Sequence, residues 1–472
     1  MTKIKFGTSG WRAVISDEFT FENVRIVTQA IAGHLKGKKK KEKGKSLVVV
    51  VGYDTRFLSK EFAQESAKVL SDNGITVLLS ERDVPTPVVA FQIIKNKAAG
   101  GINFTASHNP PQYNGIKFSP ETGGPAPVEI TKEIEENIAV IQKKDLRQYK
   151  GDKRFIKTFN PRPAYLKRIE SLVDFEVIKK RKLKLAIDCL YGTSREYLDA
   201  LLSKHGIKPI VLHDYLNPSF DGKRPEPAPE NITELIGVVK SNRLHLGLAT
   251  DGDADRFGIV DSDGTYITPN EVITLLLYHL LTARKKRGNV VARTLATTHM
   301  IDLVAKKHGI EVLETPVGFK YFVDAILSGK CIIAGEESGG LSMSGHVPEK
   351  DGILACLLIA EMVAVNKKPI KDILAHIYKE YGRVYADRIN ISLSEDKKRT
   401  LMNAFKQKSM VNFAGRKIVK RDLRDGCKLY LEDGSWALFR PSGTEPIVRS
   451  YYEASSGKVL KELLVAAKEI LV

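Results

Sequence analysis

The chain has 472 residues, of which 43% are hydrophobic, and a formal net charge of +18, so we expect about three domains, or four if the last is small. Its longest apolar stretch, residues 353–365, is shorter than the roughly 18 residues that cross a membrane, and its N-terminus lacks the apolar region of a signal peptide. The four cysteines are widely spaced and include no CxxC pair. These features favour a cytoplasmic protein with no membrane partner over a membrane-spanning protein or one stabilised by disulfides.

The excess of basic residues suits more than one kind of anionic partner. A nucleic acid, an anionic membrane or a small phosphorylated substrate would each fit it. The one dense run, residues 36–45, has no aromatic residues between its lysines on which bases could stack. We interpret this run as a solvated loop and expect no nucleic acid, although a basic nucleic-acid-binding protein stays the alternative from a different functional class.

The same order of elements is predicted three times along the chain: strand, helix, strand, helix, strand, and then a polar loop. Near-continuous apolar strands that alternate with amphipathic helices predict parallel or mixed sheets covered on both faces. The predicted strands are residues 47–52, 75–79 and 101–104, then 183–187, 208–212 and 246–249, and then 289–292, 310–313 and 331–334. The predicted helices are residues 59–73 and 87–96, 194–204 and 232–241, and 299–308 and 320–327.

From about residue 383 the order of strands and helices becomes irregular, and the chain ends on an amphipathic helix, residues 458–471. This pattern predicts a smaller domain of α+β type. The expected fold is therefore α/β, with three similar domains and a C-terminal α+β domain around a central cleft. The predicted domains are residues 1–155, 156–263, 264–380 and 381–472.

Each repeated unit ends in a loop with chemically distinctive side chains, at the carboxyl end of a strand where open α/β sheets place their ligands. The side chains are Ser107 and His108 in the first loop, Asp251, Asp253, Asp255 and Arg256 in the second, and Glu336 and Ser338 in the third. A fourth stretch, residues 440–446, combines an arginine, two hydroxyls and a glycine, which favours a phosphate-binding loop.

The three aspartates predict a site for a divalent cation. An EF-hand also begins with alternate aspartates, but it needs glycine at the sixth position and glutamate at the twelfth, where this chain has Arg256 and Ser262. An aspartate-rich turn is the other interpretation. Three carboxylates so close together repel one another unless a cation lies among them, and we favour Mg²⁺ with Ser107 as a further ligand.

Ser107 has no neighbouring residue placed as the base of a catalytic triad, which argues against an acyl-enzyme hydrolase. A serine that carries a phosphoryl group needs charge neutralisation and in-line positioning instead. A serine, a cation site, a loop that can bind hydroxyls and a phosphate-binding loop together indicate phosphoryl transfer to a polyol.

In this order and at these spacings, the four stretches resemble the α-D-phosphohexomutase family, which includes phosphoglucomutase, phosphomannomutase and phosphoglucosamine mutase. The resemblance extends from Gly7 nearly to the C-terminus. It implies an isomerase in which phosphorylated Ser107 gives its phosphoryl group to a hexose phosphate, with Mg²⁺ bound by Ser107 and the three aspartates. It also implies a 1,6-bisphosphate intermediate, with glucose 1,6-bisphosphate as the priming activator, in a monomer or homodimer. The resemblance implies that the first domain carries the phosphoserine, the second binds the metal, the third binds the sugar and the fourth binds the phosphate.

The resemblance assigns further roles residue by residue. The catalytic residues would be Ser107, Arg12, Lys117 and His346, with Lys117 or His346 as the general base. We expect basic neighbours such as Arg12 and Arg256 to lower the pKa of Lys117, and we expect the side chain of His108 to point away from its neighbour Ser107. The substrate-binding residues would be Ser9, His108, Arg256, Lys320, Glu336, Ser338, Lys350, Arg440, Ser442, Gly443 and Thr444. Glu336 and Ser338 would bind two vicinal sugar hydroxyls, and Arg440 with its loop would bind the non-reacting phosphate.

The substrate is predicted to be glucose phosphate, because Gly318-Phe319-Lys320 resembles the phosphoglucomutase version of this loop. Gly340, directly after the sugar loop, departs from relatives that carry histidine or a bulkier residue there. Phosphomannomutase and phosphoglucosamine mutase therefore stay as alternatives within the family, and a metal-dependent phosphatase is a third.

Overall fold

The computed structural model describes residues 4–7, 10–41, 47–143, 148–285, 288–407, 410–441 and 447–471. Its first domain is built on a mixed sheet of six strands in the order β1-β5-β4-β2-β3-β6. The elements are β1 (Trp11–Val14), α1 (Phe21–Lys41), β2 (Val48–Tyr53), α2 (Ser59–Asp72), β3 (Thr76–Ser80), α3 (Thr86–Lys95), β4 (Gly100–Phe104), β5 (Tyr113–Pro120), α4 (Val128–Ile141) and β6 (Ile156–Phe159). Strands β2, β3, β4 and β6 are parallel, and β5 is antiparallel to both β4 and β1. This places the loop after β4 beside β5.

The second domain has a five-stranded sheet in the order β11-β10-β9-β7-β8. Its elements are α5 (Arg162–Glu170), α6 (Phe175–Arg181), β7 (Leu185–Asp188), α7 (Leu198–Lys204), β8 (Ile210–Leu212), α8 (Thr233–Ser241), β9 (Leu246–Thr250), β10 (Phe257–Asp261) and β11 (Tyr266–Ile267). The helix predicted from residue 194 begins only at Leu198, because Glu196 has a φ of +62° and so cannot continue a right-handed helix.

The third domain has a four-stranded sheet in the order β13-β12-β14-β15. Its elements are α9 (Pro269–Thr282), β12 (Val290–Thr294), α10 (Met300–Lys307), β13 (Glu311–Thr315), α11 (Val323–Leu327), β14 (Cys331–Glu336), β15 (Gly340–Ser342), α12 (Gly352–Asn366) and α13 (Ile370–Tyr381). A 3₁₀ turn, Phe319–Phe322, replaces the first half of the helix predicted over residues 320–327. Asp351 caps α12 by accepting a hydrogen bond from the Leu354 amide.

The fourth domain is an antiparallel sheet of six strands with two helices, in the order β16-β21-β20-β19-β18-β17. Its elements are β16 (Tyr385–Ser392), α14 (Glu395–Lys406), β17 (Asn412–Phe413), β18 (Arg416–Asp422), β19 (Cys427–Leu431), β20 (Trp436–Pro441), β21 (Ile447–Ala454) and α15 (Gly457–Leu471). The predicted class, three α/β domains with mixed sheets and a smaller α+β domain, is confirmed.

Two short strands lie on the far side of a predicted domain boundary. β6 pairs with β3 and so belongs to the first sheet, although it follows the boundary predicted between residues 155 and 156. β11 likewise pairs with β10 of the second sheet, beyond the boundary predicted between residues 263 and 264. Both strands are too short to have a pattern of their own, and pairing partners rather than periodicity decide where they lie.

The apolar core is unevenly distributed among the domains. One cluster joins residues of the first three domains, among them Val88, Tyr165, Leu276 and Leu357. The fourth domain has a separate core, and a small third cluster, including Leu295 and Trp436, connects it to the third domain. In the described part of the chain, no helix combines the length and the apolar character needed to cross a membrane.

Candidate active site

The loops that follow β4 and β9 meet at the junction of the first two domains. The hydroxyl of Ser107 donates a hydrogen bond of 2.7 Å to Asp251 Oδ2. Ser107 has a φ of +52°, a left-handed conformation that is uncommon for a residue with a side chain. At Gly252 the two backbones touch, since a Cβ atom there would lie 2.8 Å from the carbonyl oxygen of Ser107. The structure therefore brings the predicted serine and aspartate loops into direct contact.

The side chains of Asp251, Asp253 and Asp255 are buried and form a compact group of carboxylates. Their oxygens lie within 4.8 Å of one another, close enough to hold one metal ion. Among the described residues, Asp253 Oδ1 and Asp255 Oδ1 are buried without a hydrogen-bond partner. Buried polar atoms are almost always paired, and carboxylate oxygens are the preferred ligands of hard divalent cations. The group thus fits the predicted cation.

The pKa values of Asp251 and Asp255 are shifted in opposite directions. Burial, together with the nearby charges of Asp253 and Asp255, raises the pKa of Asp251 well above its usual value. Burial also opposes ionisation of Asp255, but the cations Lys117, Lys350 and Arg256 outweigh it and hold the pKa of Asp255 below its usual range. Negative charge is therefore concentrated on the side of the group that faces the lysines.

Lys117 lies on β5, next to the serine loop, and its Nζ atom is 2.6 Å from Asp253 Oδ2 and 3.1 Å from Asp255 Oδ2. Burial alone would lower the pKa of Lys117, but these two carboxylates outweigh burial and raise it. The expectation that basic neighbours lower this pKa is wrong, because the nearest charges are negative. Lys117 is an ammonium group in this arrangement.

His108 does not point away from the serine as expected. Its Nδ1 atom lies 3.3 Å from Ser107 Oγ, because the left-handed backbone at Ser107 turns the two neighbouring side chains to the same side. Burial and the charges of Arg256 and Arg12 lower the pKa of His108 well below its usual value. The imidazole is therefore neutral, and it borders the serine without adding charge.

Two arginines border the same junction. Arg12, on β1, donates a 2.8 Å hydrogen bond from Nη1 to Asn109 Oδ1 in the serine loop. The amide of Arg256 donates to Asp251 Oδ1 at 2.9 Å, and its guanidinium lies 3.5 Å from Glu226. Both are placed to attract an anionic substrate.

The predicted sugar loop lies at the end of β14. Glu336 is 5% exposed, and its Oε1 atom accepts a 2.9 Å hydrogen bond from the amide of Gly318. Burial, reinforced by the charge of Glu337, raises the pKa of Glu336 to about 7. Ser338 and Arg256 line the same cavity of about 470 Å³.

Two lysines accompany the sugar loop. Lys350 is buried, with its Nζ atom 2.6 Å from Glu349 and 3.3 Å from Asp255, so it connects the third domain to the aspartates. Lys320 Nζ lies 5.3 Å from the ring centre of Tyr321, and burial lowers its pKa.

His346 is not available in the cleft. Its side chain is 0% exposed, and its Nε2 atom lies 2.7 Å from Asp351 Oδ2. The same carboxylate oxygen accepts a 2.6 Å hydrogen bond from the hydroxyl of Tyr165. The assignment of His346 as a general base is not supported by this geometry, because the carboxylate that caps α12 holds the ring in the packed interface between domains.

The predicted phosphate loop is described only in part. Arg440, at the end of β20, donates a 2.9 Å hydrogen bond from Nε to Asp425 Oδ2 in its own domain. Ser442, Gly443 and Thr444 lie outside the described residues, as does Ser9 near the N-terminus.

Three residues around the serine loop were missed in the sequence. Asp54 and Arg56 follow β2 and pack under the loop, and Thr86 binds Asp253 through both its backbone amide and its hydroxyl. A signal existed for the first two, because they lie at the carboxyl end of a predicted parallel strand. Nothing in the local sequence distinguishes Thr86 from an ordinary helix-starting threonine.

Comparison with known families matches each of the four domains. Models of Phosphoglucomutase/phosphomannomutase alpha/beta/alpha domains I, II and III match residues 3–145, 163–264 and 268–381, and the C-terminal domain model matches residues 389–470. The chain belongs to the phosphoglucomutase/phosphomannomutase family. It is therefore an enzyme of the isomerase class that acts as a phosphotransferase.

Relatives within this family carry different substrate names. A protein of Methanosphaera stadtmanae named as a phosphoglucosamine mutase is 33% identical over 472 residues, covering 99% of this chain and 98% of its own. A phosphoglucomutase/phosphomannomutase of Thermococcus kodakarensis is 31% identical over 477 residues, with 99% and 98% covered. A crystal structure from Thermus thermophilus, assigned as a phosphomannomutase, is 34% identical with a TM-score of 0.85 and covers 99% of both chains. The family is thus shown, and the hexose is not distinguished by these relatives.

Proposed function

We propose that this phosphohexomutase interconverts hexose 1-phosphate and hexose 6-phosphate, with glucose as the preferred hexose, through phosphorylated Ser107. The observation that carries the proposal is the contact between Ser107 Oγ and Asp251, one of three buried carboxylates that leave two oxygens without partners among the described residues. A hydroxyl beside a cation site is the arrangement that phosphoryl transfer needs, because catalysis there depends mainly on positioning and charge neutralisation.

The proposed metal is Mg²⁺, and the residues that would hold it are Asp251, Asp253, Asp255 and Ser107. When bound, such an ion neutralises charge on the transferring phosphoryl oxygens. The chain supplies cations of its own around the same place, namely Lys117, Arg12 and Lys350.

In the forward half-reaction, the bond between phosphorus and Ser107 Oγ breaks as a bond forms to the free hydroxyl oxygen of the hexose phosphate. Lys117, an ammonium group held by Asp253 and Asp255, would give a proton to Ser107 Oγ as it leaves and take up the proton of the attacking hexose hydroxyl, so that it ends the half-reaction as an ammonium again. In the second half-reaction Lys117 would take the proton of the Ser107 hydroxyl and give one to the leaving hexose oxygen. The product is a hexose 1,6-bisphosphate, which returns its other phosphate to Ser107. Burial of the serine keeps water from competing for the phosphoryl group.

The substrate is proposed to contact both the third and the fourth domain. Glu336 and Ser338 would bind vicinal hydroxyls of the sugar, with Lys320 and Lys350 beside them. Arg440 would bind the non-reacting phosphate through a charge-assisted hydrogen bond, together with Ser442, Gly443 and Thr444. Ser9 and Arg12 would lie at the mouth of the active site. Because hydroxyls shared by glucose and mannose are the ones bound in this scheme, phosphomannomutase or phosphoglucosamine mutase activity is the alternative.

The cellular setting and assembly stay predictions. The four cysteines, all among the described residues, are buried and form no disulfide, which is in keeping with a reducing cytoplasm. A monomer or a homodimer is expected.

Three measurements test the proposal together. Conversion of glucose 1-phosphate should require Mg²⁺, should be primed by glucose 1,6-bisphosphate and should stop in excess chelator. The intact protein should carry one phosphoryl group that disappears in Ser107→Ala, with kcat lower by at least about 10⁴-fold, whereas Ser241→Ala, at an exposed helix end, should keep both. Full rate in chelator, or a phosphoryl group that is still present in Ser107→Ala, would refute the mechanism.

The same assay distinguishes the rivals. Comparing kcat/KM for the 1-phosphates of glucose, mannose and glucosamine ranks the three mutase activities. Net release of inorganic phosphate without isomerisation would identify a phosphatase instead.

A further inference from the structure

A single buried arginine donates several hydrogen bonds to the loop that carries Ser107. Arg56, just after β2, has a side chain that is 0% exposed. Its Nη2 atom donates to the carbonyl oxygens of Ser107 at 2.7 Å and Asn109 at 2.6 Å, and its Nη1 atom donates to those of Pro110 at 2.8 Å and Tyr113 at 3.0 Å. Four carbonyl groups, three from the loop and one from the first residue of β5, therefore converge on one guanidinium.

The orientation of this guanidinium is itself fixed. Asp54 Oδ2 lies 3.2 Å from Arg56 Nε, and Asp54 Oδ1 accepts hydrogen bonds from the Arg56 amide at 2.9 Å and the Ser59 hydroxyl at 2.7 Å. From the other side, the ring of Phe220, in the second domain, lies 5.1 Å from Arg56 Cζ. Only the rigid, planar donor set of arginine can reach four carbonyls at once, since lysine presents three donors from a single point.

The loop needs such a restraint because its backbone is strained at Ser107. A residue with a side chain keeps a left-handed φ only where its surroundings determine it, and here φ is +52°. Arg56 binds the carbonyl of Ser107 itself and that of Asn109, while Thr105 Oγ1 accepts a 2.8 Å hydrogen bond from the Ser107 amide. With both sides of the serine fixed, its Oγ atom reaches Asp251.

We propose that Arg56 is a positioning residue for phosphoryl transfer, because it fixes the left-handed backbone of Ser107 and so aims Oγ at the aspartate group. Arg56 acts through the loop. Among the described residues, the hydrogen bonds of its guanidinium go to main-chain carbonyls and its ion pair is with Asp54. The inference rests on the proposed function of Ser107, and it adds a residue from outside the predicted site.

The test compares Arg56→Lys and Arg56→Met with Arg284→Met. Arg284 is a matched control, because its guanidinium also binds a buried carboxylate, that of Glu361, and a backbone carbonyl, that of Leu172, while it lies outside the proposed site. Both Arg56 variants should lose about 10²-fold in kcat, the scale expected for misplacing a reacting group by an ångström. KM for the hexose phosphate should change little, and lysine should not restore kcat.

A single-turnover experiment separates positioning from folding. Enzyme phosphorylated on Ser107 by glucose 1,6-bisphosphate is mixed with glucose 6-phosphate, and the loss of phosphoserine is followed per folded molecule. In the Arg56 variants this step should slow by the same factor as kcat, and a larger share of phosphoryl groups should go to water. The Arg284 variant should lose melting temperature only.

The outcomes are distinct. Arg56 variants that transfer the phosphoryl group at the wild-type rate would overturn the inference, while mutase activity of the wild type would leave the proposed function standing. A wild type without phosphoserine would instead overturn the proposed function. Should Arg56→Met not fold, Arg56→Lys and Asp54→Asn take its place, and an unchanged single-turnover rate in both would equally refute the positioning role.

Discussion

The junction of the first two domains and the fourth domain are built in different ways. At the junction, side chains of both domains interlock: Thr86 and Lys117 bind Asp253, and Ser107 binds Asp251. The fourth domain has its own core, and Arg440 pairs with Asp425 of the same domain. The comparison teaches that the place of proposed bond breaking is fixed by contacts between the first two domains, whereas the proposed phosphate-binding arginine lies in a domain that has its own core and contacts the third domain.

The largest effect in this comparison is expected at the junction, from Lys117→Met. Loss of the ammonium removes a charge and a proton donor beside Ser107, so kcat should fall by about 10²–10⁴-fold with a smaller change in KM. Steady-state rates with glucose 1-phosphate provide the measurement. Lys371→Met, which removes an exposed lysine paired with Asp263, should leave kcat unchanged. A kcat within a few-fold of wild type in Lys117→Met would show that the junction does not depend on this lysine.

A smaller effect, on KM rather than on kcat, is expected in the fourth domain. Arg440→Ala should raise KM by about 10–100-fold, because a hydrogen bond to a charged group contributes roughly 1.5–3 kcal/mol, while kcat changes less. The control is Arg416→Ala, which breaks ion pairs with Asp433 and Glu462 within the same domain. An effect on kcat alone would remove the proposed division between the two regions.

The smallest effect concerns the sugar loop of the third domain, which lies between the two regions, and it appears as a pH dependence of stability. Burial raises the pKa of Glu336 to about 7, so the folded protein favours the neutral carboxyl. The stability this provides is present below the ordinary glutamate pKa and is lost as pH rises through about 7. Glu336→Gln should therefore be more stable than wild type at pH 8 and equal to it near pH 4.

Melting temperatures at the two pH values test this shift. Glu176→Gln, at an exposed position, should show no pH-dependent difference from wild type. A difference between Glu336→Gln and wild type that is the same at both pH values would contradict the stated environment of Glu336.

Much of this site could be predicted from the sequence, for a physical reason. Apolar strands such as β4 and β9 can be recognised in the sequence, and the loops that follow parallel strands lie at the same edge of a sheet. The rule places Ser107 and the aspartates each at the carboxyl end of a strand, whereas the meeting of these loops from two different sheets is implied by the family resemblance. The pairing of short segments such as β6 and β11 has no such local pattern.

The expectations that the geometry does not support concern properties that depend on contacts made in the folded chain. The pKa of Lys117 depends on Asp253 and Asp255, which reach it from another domain. The burial of His346 depends on Tyr165 and the helix cap Asp351. The orientation of His108 depends on the backbone of Ser107, which in turn is restrained by hydrogen bonds that no sequence pattern records.

Gly252 lies where the backbones of the two loops touch. Its φ lies in the ordinary range for any residue, yet a methyl group there would lie 2.8 Å from the Ser107 carbonyl oxygen, closer than real carbon–oxygen contacts allow. Glycine is needed for its lack of volume rather than for its flexibility. Even alanine would force the two domains apart at this point, so the distance between the serine loop and the aspartate loop is set by the smallest side chain in the protein.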